Sequence, residues 1–437
     1  MEVCFLTSGE TLTVLDDELQ SQTVKAAKKA LAAKVGISRF KQRFFAEDGS
    51  HEIQDDEVLA TPPPKIQLVV LEFWPPDDEE TQMIISASRD NNLVALEQLL
   101  QQPRNPNEAN NDGKTPLFHA AEQGHVQVME LLLEAGAKTD EPEFARGQTP
   151  MFTAAQNGHL AAVRFLAEVN ATKDKAENYG GTPLAVAAKN GCLDIVRFLV
   201  ENGAGKDLAA KNGATPLHAA AHKSHLDIVR FLVVNGAAKD LATNNGATPL
   251  FVAAQQGHLD IVRFLVECGA GKDLAANNGA TPLHAAAHKS HLDIVRFLVE
   301  NGAAKDQATT SGAAPLHTAA HNGHLDIVRF LVENGAAKDL ATNNGATPLH
   351  VAAQQGHLDI VRFLVECGAG KDLAANNGAT PLHAAAHRGY LDIVRFLVEN
   401  GAGKISRKGA TPLHAAAHNG HLGVVSSGMR CSQRSSH

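Results

Sequence analysis

The chain has 437 residues, 44% of them hydrophobic and 20% charged, a balance that favours folding over intrinsic disorder. Its 39 basic and 48 acidic residues leave a net charge of -9, which argues against a nucleic-acid partner, since such a partner calls for a basic face. The five cysteines (Cys4, Cys192, Cys268, Cys367, Cys431) show no CxxC spacing. The start carries no basic segment followed by an apolar one, and no apolar run approaches the roughly 18 residues of a membrane span. A reducing, cytoplasmic setting is the simplest expectation.

Residues 1–74 do not repeat. Val3 and Phe5 alternate with Glu2 and Cys4, Ser8-Gly9 turns the chain, and Leu12 and Val14 alternate with Thr11 and Thr13, which is the pattern of a hairpin. Thr23 is placed to cap a helix carrying Val24, Ala27, Leu31 and Val35 on one face and ending near Gly36. A strand follows around Gln42–Ala46, and another over Ile66–Phe73 puts Ile66, Leu68 and Val70 on one side. Strands, a crossing helix and further strands suggest a small α+β domain of the β-grasp type. The segment resembles ubiquitin over its whole length: Gly36-Ile37 through Gln42-Arg43-Phe44-Phe45 aligns without gaps, and Ile66-Gln67-Leu68-Val69 matches the last strand. The resemblance implies an apolar recognition patch to which Phe45 and Val69 correspond. Its third member is missing, because the Ser8-Gly9-Glu10 turn is short and polar. No Gly-Gly terminus follows, so the resemblance does not extend to conjugation.

Trp74-Pro75-Pro76 and the acidic run Asp77 to Glu80 read as a short linker over 75–80. Residues 81–102 read as a degenerate first repeat, with Met83, Ala87, Leu93, Leu96, Leu99 and Leu100 keeping the apolar positions. From there the tetrapeptide Thr-Pro-Leu-His, or a close variant, recurs ten times, starting at Thr115, Thr149, Thr182, Thr215, Thr248, Thr281, Ala314, Thr347, Thr380 and Thr411. The first interval is 34, the last 31, and every other one 33. A fixed period of this size means a stacked array whose units bury their apolar stripes only against neighbours.

Residues 242–274 show the unit most clearly. Asn245-Gly246 signals a tight turn. Thr248 stands at an N-cap with Pro249 at the first helical position. Leu250, Ala253 and Ala254 form a small apolar stripe, Gln256-Gly257-His258 breaks the helix, and a second helix starts at about Leu259. Phenylalanines at the same period, from Phe165 through Phe264 to Phe396, are candidates for packing between neighbours. The second helices from Asp194/Arg197 through Asp392/Arg395 also repeat Asp-x-x-Arg, read as a solvated i,i+3 pair. This Gly-x-Thr-Pro-Leu-His-x-Ala-Ala…Gly-His…Gly-Ala pattern resembles the ankyrin repeat over about residues 81–425. The resemblance implies a mostly α, helix-turn-helix solenoid with a hairpin turn per repeat. One departure is Lys two places after Gly-Ala (Lys206, Lys239, Lys272), with a Leu two residues later expected to fill the inward face.

Residues 240–303 and 339–402 are identical at all but four positions, a copied block displaced by 99 residues, three repeat periods. After Val425 the second helix is replaced by Ser426-Ser427-Gly428-Met429, so residues 411–437 are expected to fray, and 426–437 read as a disordered Ser-rich tail.

Five repeats carry His at i,i+4, from His218/His222 to His414/His418. Each pair offers two ligands where a closed zinc site wants four, and in the ankyrin family the first histidine is a structural hydrogen-bonding residue. No nucleophile–base constellation and no phosphate-binding glycine loop is present, so no cofactor and no catalytic role are expected. The family resemblance implies binding of a protein partner through the hairpin tips and the concave side. The tips with individual character are those of Phe144, Arg146 and Tyr179, residue types favoured at interface hot spots. The expectation is a non-enzymatic protein-interaction scaffold. The alternative is an adaptor joining a client to ubiquitin or proteasome machinery through the N-terminal domain.

Overall fold

A computed structural model of the chain describes residues 2–5, 11–13, 23–46, 51–57, 66–73, 77–403, 411, 416–417, 419–421 and 423. The turn at Ser8-Gly9-Glu10, the Trp74-Pro75-Pro76 segment and the 426–437 tail lie outside the described residues, as does most of 411–425. The chain divides into two compact units, residues 1–211 and 212–437.

The first unit opens with strands β1 (Glu2–Phe5), β2 (Thr11–Thr13), β3 (Gln42–Ala46), β4 (Glu52–Ile53) and β5 (Ile66–Val70), in the sheet order β2-β1-β5-β3-β4. β1 runs parallel to β5 and antiparallel to β2, and β3 runs antiparallel to β5 and β4. Helix α1 (Val24–Val35) is capped at Thr23 and stopped by Gly36, as its sequence signals. Val24, Ala27 and Leu31 are buried on it, as are Phe44, Ile66 and Leu68 on the sheet. β4 has only two residues, too few for an alternation to register, and β5 stops at Val70, short of Phe73.

The helices of the array come in pairs. The first unit holds α2 (Asp78–Arg89) and α3 (Leu93–Gln101), α4 (Pro116–Gln123) and α5 (Val126–Glu134), α6 (Pro150–Gln156) and α7 (Leu160–Glu168), and α8 (Pro183–Asn190) and α9 (Leu193–Glu201). The second unit holds α10 (Pro216–His222) and α11 (Leu226–Val234), α12 (Pro249–Gln256) and α13 (Leu259–Glu267), and α14 (Pro282–His288) and α15 (Leu292–Glu300). It continues with α16 (Pro315–Asn322) and α17 (Leu325–Glu333), α18 (Pro348–Gln355) and α19 (Leu358–Glu366), and α20 (Pro381–Arg388) and α21 (Leu391–Glu399). The acidic run assigned to the linker begins a helix instead. Asp77 caps α2, its carboxylate accepting from the Glu79 and Glu80 amides, and Asp78, Glu79 and Glu80 form the first turn, where negative charge meets the positive end of the helix dipole. In that first pair Ile84 and Ile85 are buried, whereas Met83, placed in the apolar stripe by its spacing, is exposed.

Each first helix starts as its signature dictates. Thr248 extends, accepts the Phe251 amide on its hydroxyl, and is followed by Pro249, whose missing N–H is no loss at that position. Within each unit, neighbouring first helices pack through their alanines, and the larger Ile, Val and Leu side chains of the second helices fill the space behind. Phe264, Phe297, Phe330 and Phe363 are buried between repeats, while Phe165, Phe198, Phe231 and Phe396 are half-buried.

Two repeat-wide expectations need correction. The leucines after the Lys insertion do not face inward: Leu208 is 42% exposed and Leu241, Leu274 and Leu373 are similar. The turn that begins at Gly205 brings Leu208 over that glycine, where a Cβ would lie 2.6 Å from the Leu208 Cγ. The adjacent aspartate makes the inter-repeat bond instead: Asp273 accepts the Ala304 amide at 2.8 Å, and Asp240, Asp306, Asp339 and Asp372 do the same for their neighbours. The arginines of Asp-x-x-Arg reach across repeats as well. Arg230, Arg263, Arg296, Arg329 and Arg362 lie 4.7 to 5.5 Å above the Phe rings of the following repeat (Phe264 to Phe396). The ring quadrupole attracts the guanidinium there, and its apolar stem covers the ring edge.

Candidate protein-binding site

Several hairpin tips are closed by a side-chain acceptor at their first residue. Asn110 takes the Asp112 and Lys114 amides, and in the second unit Thr243 takes that of Ala247. The loop of the longer interval uses Glu143, whose extra reach spans the additional residue. Its carboxylate is buried and accepts the amides of Ala145 (2.7 Å), Arg146 (2.6 Å) and Gln148 (3.1 Å). Burial alone would raise its pKa, but those three donors outweigh it and hold the carboxyl below the ordinary range. The sequence reading passed over Glu143. Its signal is the register, because it occupies the place that Asn110 holds one repeat earlier.

On this support the three side chains singled out from the sequence stand in a row. Phe144 is 74% exposed, Tyr179 is 69% exposed, and Arg146 is exposed between them. Successive tips are tied by one backbone bond each: the Phe144 amide donates to the Asp112 carbonyl (2.9 Å), Asn178 to Arg146 (2.7 Å) and Lys211 to Tyr179 (2.8 Å). The row therefore has fixed spacing, which limits what ordering costs when a partner binds. The Phe144 ring lies against Gly113, where a Cβ would sit 2.4 Å from its Cγ and where φ is +78°. The tips of the second unit are tied in the same way, from Asn244 on Asn212 to Asn376 on Asn344. They present mainly Asn, Thr and Ser.

Among the described residues the signature histidines His218, His284, His317, His350 and His383 are buried. His218 accepts the Thr215 amide on Nδ1 (3.2 Å) and donates from Nε2 to the Ala247 carbonyl of the next repeat (3.0 Å). His284 repeats this with Thr281 and Ala313, and His317 with Ala314 and Ala346. Burial, against a weaker upward pull from the accepting carbonyl, lowers the pKa of all three. A second histidine column stands before the second helix in most repeats, with Cys192 and Tyr390 at that place in two of them. His258, His324, His357 and His421 donate from Nε2 to the carbonyls of His222, His288, His321 and His387. Among the described residues no group of three or more His, Cys, Asp or Glu is placed to hold a metal.

Phe45 and Val69 lie on the same side of the N-terminal sheet. Phe45 pairs with Gln67, and Val69 pairs with Arg43, so the two are diagonal neighbours away from the buried Phe44 and Leu68. Both are half-buried, and an Arg43–Glu52 ion pair at 3.0 Å flanks them. The third place of that patch lies outside the described residues.

No helix among the described residues is long and apolar enough to cross a membrane. Comparison with curated proteins returns no match. The family model described as ankyrin repeats (3 copies) matches eight overlapping segments, residues 68–143, 137–210, 169–243, 202–276, 228–309, 265–342, 304–377 and 367–427. With paired helices, tied tips and bridging histidines recurring through the same span, the chain belongs to the ankyrin-repeat family.

Proposed function

We propose that this chain is a non-enzymatic scaffold that holds a protein partner across the hairpin tips and first helices of its repeats. Ankyrin repeats generally mediate protein–protein interaction, and the observation that carries the assignment here is the exposed row of Phe144, Arg146 and Tyr179 on tips that hydrogen bonds already hold in place. An aromatic and an arginine anchored on a rigid support provide hot-spot energy, while near-verbatim Asn and Thr tips provide complementarity. Free Cys192, Cys268 and Cys367 support a cytoplasmic setting. The test is to capture a partner with the full chain and measure its affinity for the triple variant Phe144→Ala, Arg146→Ala, Tyr179→Ala. A loss of at least about thirtyfold is expected, and unchanged affinity sinks the assignment.

A second reading is an adaptor that brings a client to ubiquitin or proteasome machinery through residues 1–74. The sheet order with α1 across it supports a ubiquitin-like β-grasp domain, and the shared face of Phe45 and Val69 supports a recognition patch. Capture of proteasome or ligase subunits by the full chain, lost in Phe45→Ala while the scaffold partner is retained, would establish this reading.

A further inference from the structure

The first unit contains one interface that repeats nowhere else among the described residues. Arg39, in the turn before β3, has a side chain only 2% exposed. Its Nε donates to the Glu134 carboxylate at 2.8 Å and its Nη2 to that of Glu97 at 3.0 Å, and its guanidinium stacks 3.9 Å over Phe40. Lys25 pairs with Glu97 and Lys29 with Glu134 at the rim, both lysines partly exposed. Asp55 completes the charge around Arg39 at 3.9 Å and pairs with Lys28 at 2.6 Å. Burial would raise the Glu97 carboxyl, but Lys25 and Arg39 outweigh it and keep it below the ordinary range.

The contacts also reach the ends of two helices. The Ser38 hydroxyl donates to the carbonyl of Glu134, the last residue of α5, at 2.7 Å, and Arg43 donates to the carbonyl of Gln101, the last residue of α3. Terminal carbonyls of a helix have no partner within it and carry its negative dipole end. Elsewhere in the array an asparagine often serves them: Asn202, Asn235, Asn301, Asn334 and Asn400 each donate back to the Phe carbonyl four residues earlier. α3 and α5 have Gln102 and Ala135 at that place. Their donors come from the N-terminal domain. A cleft of about 230 Å³ at the rim, lined in part by Lys25, Lys29, Leu93, Val94 and Glu130, leaves the two lysines open to solvent ions.

We propose that the N-terminal domain is a charge-latched cap on the array: its basic face (Lys25, Lys29, Arg39, Arg43) docks on the acidic ends of α3 and α5, and it has an undocked state in which those four cations have released the array. Arg39 is the latch, because its buried guanidinium gives up its two closest carboxylates, Glu97 and Glu134, on undocking and keeps only Asp55 at 3.9 Å. The lysine rim sets the salt sensitivity, since half-exposed pairs are screened and buried ones much less so. The array with the domain undocked keeps its own repeat-to-repeat contacts, so undocking is separable from unfolding.

Two measurements on the full chain test this. Zero-length carbodiimide cross-linking joins Lys29 to Glu134 and Lys25 to Glu97 only when they touch. The cross-links are expected at about 0.05 M salt and should fall several-fold at about 1 M. In the Glu97→Gln, Glu134→Gln variant, which alters no residue of the N-terminal domain, amide exchange across residues 38–46 and at the ends of α3 and α5 should speed up at least about tenfold. Exchange in α14 to α17 should not change, which separates undocking from unfolding. Absent cross-links at low salt, cross-links indifferent to salt, or exchange at 38–46 unchanged in the variant would each overturn the proposal.

Discussion

Acidification should loosen the second unit through His218, His284 and His317. In each ring Nδ1 accepts an N-cap amide while Nε2–H donates to a carbonyl 29 residues further on. Only the neutral Nε2–H tautomer satisfies both bonds. Protonation puts a second N–H on Nδ1, facing the amide it formerly accepted. The folded-state pKa values are lowered, first by burial. The unfolded chain therefore takes up protons first as the pH falls through about 6.5, and stability falls with it until the folded-state values are reached. At about pH 5.5, one unit below the unfolded value, the loss has a ceiling of about 1.4 kcal/mol per histidine, or about 4 kcal/mol for the three. Because repeats share stability with their neighbours, the loss appears as a lower Tm. Thermal melts at constant ionic strength should show a Tm that drops between about pH 7.5 and 5.5. A variant with all three histidines changed to Asn should be less stable at about pH 7.5 and should drop less. A wild-type Tm that does not move over that range refutes the reasoning.

Other substitutions check the packing argument. Phe297→Ala should cost about 3 kcal/mol by opening a cavity between repeats, and Arg263→Ala about 0.5–1 kcal/mol. In a double-mutant cycle by urea unfolding, the arginine should lose its effect once Phe297 is gone. Ala314 stands at an N-cap where every other signature has Thr and makes no side-chain cap bond, so Ala314→Thr should stabilise by about 1 kcal/mol, read as a higher Tm. Ser290 holds φ at +64° where the copied block has Gly389 at +80°, so Ser290→Gly should gain about 1 kcal/mol by relieving a left-handed side chain, checked by the same melts. Gly113→Ala should lose comparable stability and displace the Phe144 ring, visible as a changed proteolysis rate at the 143–148 loop.

The unit of residues 242–274 was legible to within a residue because each of its boundaries carries its own chemistry. Thr248, Pro249 and the Gln256-Gly257-His258 break place α12 at Pro249–Gln256 and start α13 at Leu259, as read. The packing of the periodic phenylalanines between repeats was legible too, but the polar relations set by stacking escaped. Asp260 and Arg263 look like a helical pair because they are three apart, and nothing local shows that Phe297, 34 residues on, competes for the same guanidinium. Leu274 has the right spacing for the core, but its side chain lies back over Gly271 in a turn closed by its own amide on the Gly271 carbonyl at 3.2 Å. At the tips, exposure of Phe144 and Tyr179 followed from their place in a turn, whereas Glu143 reads as one more surface carboxylate until three amides are seen to converge on it. Arg39 gave no signal at all, since its partners are 58 and 95 residues away and neither belongs to a motif.

The copied block has a bearing on the inheritance of this protein. Asn277 and Asn376 each donate to the carbonyl of the residue 33 before, at the same 2.8 Å, and Gly271 and Gly370 meet Asp240 and Asp339 alike. A junction from any residue of 240–303 to the residue 99 further on rejoins a repeat to a neighbour of the same sequence. Loss or gain of the block therefore leaves the interfaces nearly as they are, a changed contact being that of His291 or Tyr390 over the glycine of the preceding repeat. Length in this array is a quantity that recombination between near-identical coding stretches can change in steps of three repeats without selection having to mend a seam, while the individual tips at Phe144, Arg146 and Tyr179 lie upstream of the exchangeable part.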